Sequence, residues 1–564
     1  MQTLTESQKA RVAIRSLKTI TDALALRGFY RPSGRFGKSL SESLKILNPE
    51  IYGSMNDSKV VEIKGLEYIV DRLPKGVEKC ERIILTEEGQ FKETTFEKLE
   101  PLKRRRTAYK INDKEMCFVI SRGLSELYDI ITHITFLYIE SKKVYTKMKD
   151  EHENITIEWG KLEKYINYST AEKKKNLDSA LWNLSLILGR PFSETKQTYN
   201  YFEINRKNHK SCNCFFTTIY EMGKRIKNEK ESDKKDLVIY FSPSLINIIG
   251  QQHFGKKWAE NIKNKICQLG FEKRPIHIIS ANLHSVVNTL YANKISQSKG
   301  FNSKEKNIYD FYYENQDEQK NIKEYAKKHG FYEIKDKSET HIDTQLIDLS
   351  KIDSKGVCPE IKTDLSCIEK TKPIILVMDY AFGAQASELM ENLLAPYFFN
   401  ENKIPKKFNF RSISIMGKAG ILTGKKGDIM LATAHVFEGT SDNYIFNNDL
   451  TDKDFTESVD VYTGPLITVL GTSLQNQYVL KRLKASWKAI GLEMEGGHYQ
   501  RAISSAKIKG YIPDNIKIRY AYYASDNPIK SGQTLAEAAL GKEGIKPTYF
   551  ITEAIIKKIL EDPC

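Results

Sequence analysis

A mixed α/β architecture is predicted for the C-terminal half of this 564-residue chain, and three observations predict it. From about residue 274 onward, short apolar runs alternate with amphipathic helical segments, glycine-rich turns separate the two, and acidic residues stand where the runs end. Strands alternating with helices build a largely parallel or mixed sheet packed against helices. Ligands of such sheets sit beyond the carboxyl ends of the strands. The residues before this point read as a mainly helical region, so two domains are expected, 1–270 and 271–564.

Residues 5–26 set Ile14, Leu17, Ile20 and Leu24 at helical spacing and stop before Gly28, which predicts a first helix. The loop that follows, RGFYRPSGRFGKS, gathers Arg27, Arg31, Arg35 and Lys38 among glycines and aromatics. Guanidinium forks and backbone N–H groups in such a loop suit a phosphate, and a plain basic surface turn is the competing reading. From about 110 to 270, helical patterns such as LDSALWNLSLILG alternate with short strand-like pieces such as DLVIYFS. HKSCNC offers His209, Cys212 and Cys214, but a second pair at zinc-like spacing is missing nearby, so no metal is expected.

In the second half, RPIHIISANLHSVV predicts a buried strand at Ile276–Ile279, a polar turn holding Asn282, His284 and Ser285, and a helix. A polar stretch of weak periodicity, about 298–370, looks like an insertion. KPIILVMDYAFGAQASEL repeats the order of strand, glycine turn and helix. RSISIMGKAGILTGKKGDIMLATA adds two strands around glycine turns, and GPLITVLGTS, AIGLEMEGG and IRYAYYASDNP add three more.

Composition narrows the function classes. No window approaches the roughly eighteen apolar residues of a membrane helix, and MQTLTESQKARVAIRSL lacks a signal-peptide apolar centre, so a cytoplasmic protein is expected. The eight cysteines are scattered apart from Cys212 and Cys214, which predicts reduced thiols. A net charge of +15 suits phosphorylated ligands or nucleic acid. Most of that excess is lysine on solvated helix faces. The tightest basic run, Lys103 to Arg106, has no interleaved aromatics, so nucleic acid is not the expected partner.

Two acids carry the chemistry. In GLEMEGG, a strand would point Glu493 and Glu495 to one face and Met494 to the other. Two like charges flanked by apolar residues are costly to bury without a partner. Vicinal sugar hydroxyls are a natural one, and a solvated strand end is the alternative. In YYASDNP, Asp526 leaves an aromatic run just before Pro528. A carboxylic acid held there can protonate a leaving group, and a simple turn signal is the alternative.

GLEMEGG, ASDNP and IMGKAGILTGKKGDIMLATA together resemble the nucleoside phosphorylase and nucleosidase superfamily, whose EMEG or EMEA strand end, SD motif and glycine turn they match. SDNPIKSGQ is nearest to the SDKPLHGE type of AMP nucleosidase, which also carries a separate N-terminal domain. The resemblance covers about 274–560. It implies a three-layer α/β/α fold with a mixed central sheet, and a hydrolase acting on a purine nucleotide or nucleoside such as AMP. Asp526 would protonate N7 of the purine with Ser525 beside it, Glu495 would hold the ribose 2′ and 3′ hydroxyls with Glu493 in support, and Met494 would pack under the sugar. Gly417, Lys418, Ala419 and Gly420 would line the ribosyl and nucleophile side, and Leu474 falls where the superfamily packs the base, with core leucine an equal reading. Asn282 and His284 occupy the turn after the first strand, where His284 is a substrate contact, a base or a helix-start cap.

The pattern is departed from in two places. Ile415 and Lys418 stand where phosphorylases often carry arginine and serine, which favours hydrolysis over phosphorolysis. The superfamily's water-activating glutamate has no clear counterpart, because Glu388 in FGAQASEL lies too close before Gly417 in sequence. A purine nucleoside phosphorylase or a methylthioadenosine-type nucleosidase is the alternative enzyme, and a nucleotide-sensing protein is the alternative outside enzymes. No cofactor is implied, and a homo-oligomer is expected by resemblance.

Overall fold

The first helix runs Glu6–Arg27 in the structure, a computed structural model. Residues described are 4–87, 91, 93–104, 106–209, 213–232, 236–248, 253–298, 309, 311, 314–361, 366–397, 405–455, 458–531 and 542–561. A reciprocal capping box between Thr5 and Gln8 starts that helix, and Gly28, at φ +85°, ends it. The chain divides into two compact units, Met1–Gln251 with Ser473–Val479, and Gln252–Thr472 with Leu480–Cys564.

The first unit carries a sheet as well as helices. Strands β1 (Phe29–Tyr30), β2 (Arg82–Thr86), β3 (Glu97–Leu99), β4 (Thr107–Asn112), β5 (Glu115–Val119) and β6 (Val238–Phe241) pair in the order β1-β6-β2-β5-β4-β3. The strand-like DLVIYFS supplies β6 and helices still predominate in this unit, whereas the other strands, two to six residues long, are too short for alternation to accumulate. Helix Gly123–Met148 is buried on most of its surface, and its buried residues include the polar Glu126, Asp129, His133 and Glu140 as well as apolar ones. In the basic loop, Gly34 caps helix Arg35–Leu47, and Arg31, Ser33, Gly34, Lys142 and Lys230 help to line a cavity of about 640 Å³. Cys212 lies outside the described residues, while Cys80, Cys117, Cys214, Cys267 and Cys358 are free thiols.

The second unit is a mixed sheet with helices packed on it. Its strands are β7 (Ile276–Ser280), β8 (Phe331–Ile334), β9 (Thr344–Asp348), β10 (Ile374–Met378), β11 (Phe410–Ile421), β12 (Ile429–Phe437), β13 (Asn443–Ile445), β14 (Val461–Thr468), β15 (Gly491–Glu493) and β16 (Lys517–Asp526). They pair in the order β13-β12-β14-β15-β11-β7-β10-β9-β8, and β16 bridges β11 and β12, so that β11, β15, β14, β12 and β16 close a ring. Alternate residues of β10 enter different cores. Ile374, Leu376 and Met378 pack with Leu389, Leu393 and Ile503, whereas Ile375 and Val377 pack with Leu290, Ile555 and Ile559. The stretch expected as an insertion supplies β8 and β9, and β9 extends the sheet antiparallel to β10. Among the described residues, no helix is long and apolar enough to cross a membrane.

Candidate active site

Strands β7, β10, β11 and β16 run parallel, so their carboxyl ends point the same way. Ser280 stands opposite both Met378 and Ile415, which brings the turn after β7 level with Tyr380 and Gly417. Tyr522 of β16 faces Gly417 from the other side. A Cβ on Gly417 would lie 3.7 Å from Tyr380 Cε1 and 3.8 Å from Tyr522 Cδ1, so the glycine leaves a gap of one methyl group between two aromatic rings.

GLEMEGG does not continue as a strand. β15 stops at Glu493, and Glu495 takes αR backbone angles as the N-cap of helix Gly496–Ile508. The two carboxylates therefore do not share a strand face, and this corrects the alternation read from sequence. The cause is close packing. A Cβ on Gly496 would lie 2.3 Å from His435 Cε1, and one on Gly497 would lie 2.4 Å from Thr468 Oγ1. Only glycines let the chain turn into a helix this near β12 and β14.

Glu493 is 3% exposed and fully engaged. Thr468 Oγ1 donates to its Oε1, and His435 Nδ1 lies 3.2 Å from the same oxygen. Its Oε2 accepts the N–H of Glu495 at 2.6 Å and the N–H of Gly496. Burial pushes its carboxyl up, but His435, Thr468 and the backbone donor outweigh burial and hold it below the usual carboxylate range. Glu493 thus fixes the turn. Glu495, half-buried, extends instead to the β10 exit, where its Oε1 accepts the Gly383 N–H at 2.9 Å. Gly383 has φ +53°, a conformation that suits glycine. Met494 between them is buried.

Asp526 ends β16 at a bulge. Ala419 faces Ala524 but Gly420 faces Asp526, so Ser525 is the extra residue. Ser525 Oγ donates to Asp526 Oδ1 at 2.5 Å and lies 3.3 Å from the Ala419 carbonyl. Asn527 then holds the turn, donating to the Gly424 carbonyl at 2.9 Å and accepting the N–H of Lys530 at 3.1 Å. Asp526 itself is 6% exposed.

The remaining sequence candidates fall in several places. On β11, Lys418 is exposed whereas Gly417, Ala419 and Gly420 are buried. Asn282 accepts the N–H groups of His284 and Ser285 at 3.2 and 2.7 Å, the work of a helix cap, and His284 is exposed. Leu474 is buried and belongs, with Ser473–Val479, to the first unit. Glu388 accepts the Gly255 N–H at 2.9 Å, and burial pushes its carboxyl up to about 7. Reasoning from sequence missed His435, Thr468, Tyr380, Gly383 and Tyr522. A lone histidine in the apolar run IMLATAHVF was the one available signal.

A family model described as a family of unknown function, DUF6909, matches residues 38–311 and 295–561. No curated protein sequence matches the chain. Among solved structures, the chain is similar to the Campylobacter jejuni 5′-methylthioadenosine/S-adenosyl homocysteine nucleosidase, at 10% identity and TM-score 0.30, over 51% of this chain and 99% of that one. It is similar to a futalosine hydrolase mutant of Helicobacter pylori at 12% identity and TM-score 0.29, over 51% and 98%. It is also similar to a purine nucleoside phosphorylase of Toxoplasma gondii at 13% identity and TM-score 0.29, over 51% and 90%.

Proposed function

The chain belongs to the family of unknown function DUF6909, and we propose that it is a hydrolase cleaving the N-glycosidic bond of a purine nucleotide or nucleoside, with an AMP-like substrate. One observation carries this reading. Gly420 of β11 is flanked by Leu492 on one side and Asp526 on the other, so the Glu493–Glu495 turn and the Asp526 carboxyl border the same strand segment. That segment is the glycine-bearing end of β11, where a sugar can approach backbone closely.

A purine is a poor leaving group as an anion, and protonating it lets the C1′–N9 bond lengthen toward an oxocarbenium-like state. Asp526 is the proton donor in this scheme, with Ser525 fixing one carboxyl oxygen. Glu495 accepts the ribose hydroxyls, and its charge favours the cationic sugar. Glu493 does not touch substrate. Its contact with His435 and the hydrogen bonds it accepts from Thr468 and the turn backbone hold Glu495 in place. A buried Ile415 and the exposed Lys418 support hydrolysis over phosphorolysis.

The test is to incubate the protein with AMP, adenosine, inosine and methylthioadenosine, with and without phosphate, and to follow free base. Phosphate-independent release is the expected result. Release only with phosphate would make it a phosphorylase, and binding without release would make it a sensor.

A further inference from the structure

The basic loop that follows the first helix borders an open cavity of about 640 Å³ in the first unit. That volume falls within the roughly 300–1,000 Å³ of small-molecule sites. Arg31 and Gly34 line it from the loop. Helix Gly123–Met148 lines it with Tyr138, Lys142 and Tyr145, which share one face at i, i+4 and i+7, and helix Phe215–Glu231 adds Glu229 and Lys230.

The cations of this lining are held by rings. Lys142 Nζ lies 4.5 Å from the centre of the Tyr138 ring, and Lys230 Nζ lies 4.5 Å from the centre of the Tyr145 ring. Among the described residues, no ion pair joins Arg31, Lys142 or Lys230 to a carboxylate. The two acids of the lining are engaged with other donors. Asp236 accepts the Ser33 hydroxyl at 2.7 Å, while Glu229 accepts the Leu237 N–H at 3.4 Å and has Arg225 Nε 3.8 Å away. Burial lowers the Lys142 pKa, Glu229 opposes that shift, and Lys38, Lys45 and Lys230 add to it. Like charges therefore crowd this wall even with Glu229 counted.

Helix Arg35–Leu47 begins at the same cavity. Its N-cap, Gly34, offers no side chain to the first-turn N–H groups, the first turn holds no acid, and Arg35 stands at the end where the helix dipole disfavours a cation. A second hollow of about 320 Å³ shares Arg31 and Gly34 with the first and is lined by Leu24, Phe29 and Phe36. The Arg27 guanidinium lies 4.3 Å from the Phe29 ring centre and 5.2 Å from that of Phe36, so this hollow presents flat groups.

We propose that the first unit binds a small organic phosphate in these two joined hollows. Its phosphate lies among Arg31, Lys142 and Lys230 in the larger one, where the cations converge on open volume. Its organic group lies in the smaller one, where a flat apolar group packs against Phe29 and Phe36.

The full chain is tested by equilibrium dialysis at low ionic strength against labelled inorganic phosphate and labelled phenyl phosphate. Both saturate, and phenyl phosphate binds more tightly. Arg31 and Lys142 are exposed, so Arg31→Gln and Lys142→Gln keep the fold. Each weakens both probes by about tenfold, the scale of one charge-assisted hydrogen bond. Phe36→Leu weakens phenyl phosphate and spares inorganic phosphate. Lys227→Gln makes the same charge change on helix Phe215–Glu231 outside the lining and leaves both affinities unchanged. Lys418→Gln, in the second unit, leaves the Arg31-dependent binding unchanged as well. The proposal is overturned by a lack of saturable binding, by equal affinity for the two probes, or by full binding in Arg31→Gln and Lys142→Gln. Loss of binding in Lys227→Gln or Lys418→Gln overturns it too.

Discussion

The Glu493 carboxylate accepts the backbone N–H of Glu495 at 2.6 Å, so the first acid of GLEMEGG sets the direction of the second. Glu495 then reaches Gly383 across the β10 exit, while Glu493 stays against His435. One acid is a clamp and the other is the hand it holds out.

Asp526→Asn is expected to reduce turnover by at least about a hundredfold with the fold intact, the lower scale of general acid catalysis. Steady-state kinetics on AMP with circular dichroism checks it. Near-normal kcat would remove Asp526 from the mechanism.

Glu495→Gln is expected to lose the enzyme's preference for ribose over 2′-deoxyribose substrates. The wild type should show that preference in kcat/KM, because a carboxylate that binds a hydroxyl is left unpaired when the hydroxyl is absent. Equal discrimination in both proteins would place the sugar elsewhere.

Gly496→Ala should cost about 1–3 kcal/mol, since the new methyl meets His435 Cε1 at 2.3 Å and Tyr522 Oη at 2.5 Å. Urea unfolding measures the loss. His435→Ala in the same chain should restore part of it by making room, a coupling that two independent sites would not show.

Two carboxyls give opposite pH signatures. Glu493 has a depressed pKa, so its contribution to stability is present above the ordinary carboxylate value of about 4.3 and is lost as pH falls through the depressed one. Glu388 is raised to about 7, so the stability it favours is full below about 4.3 and declines as pH rises toward 7. Glu388→Gln keeps an acceptor for Gly255 and should raise the melting temperature at pH 8 more than at pH 5. An equal shift at both pH values would rule out the raised carboxyl.

Much of the second unit was legible in the sequence because its signals are local. Apolar runs such as IIS and KPIILVM announce strands, and Gly383 and Asp526 stand at their exits because turns and charges are excluded from a buried sheet. Residue chemistry marked Glu493, Glu495 and Asp526 as acids at strand exits, and the resemblance to the nucleoside phosphorylase and nucleosidase superfamily gave Glu495 and Asp526 their expected roles. What only the tertiary structure decided is pairing across the chain. It was tertiary packing that brought His435 and Thr468 to Glu493, that ended β15 one residue after Leu492, that seated Leu474 in the first unit, and that drew Arg104 and Arg106 inward to share Glu126 and Asp129 with Arg122. Each of these joins residues far apart in sequence through burial and hydrogen bonding. No periodicity records such a contact, since the partners of a buried charge are set by which strands and helices meet, and not by its neighbours in the chain.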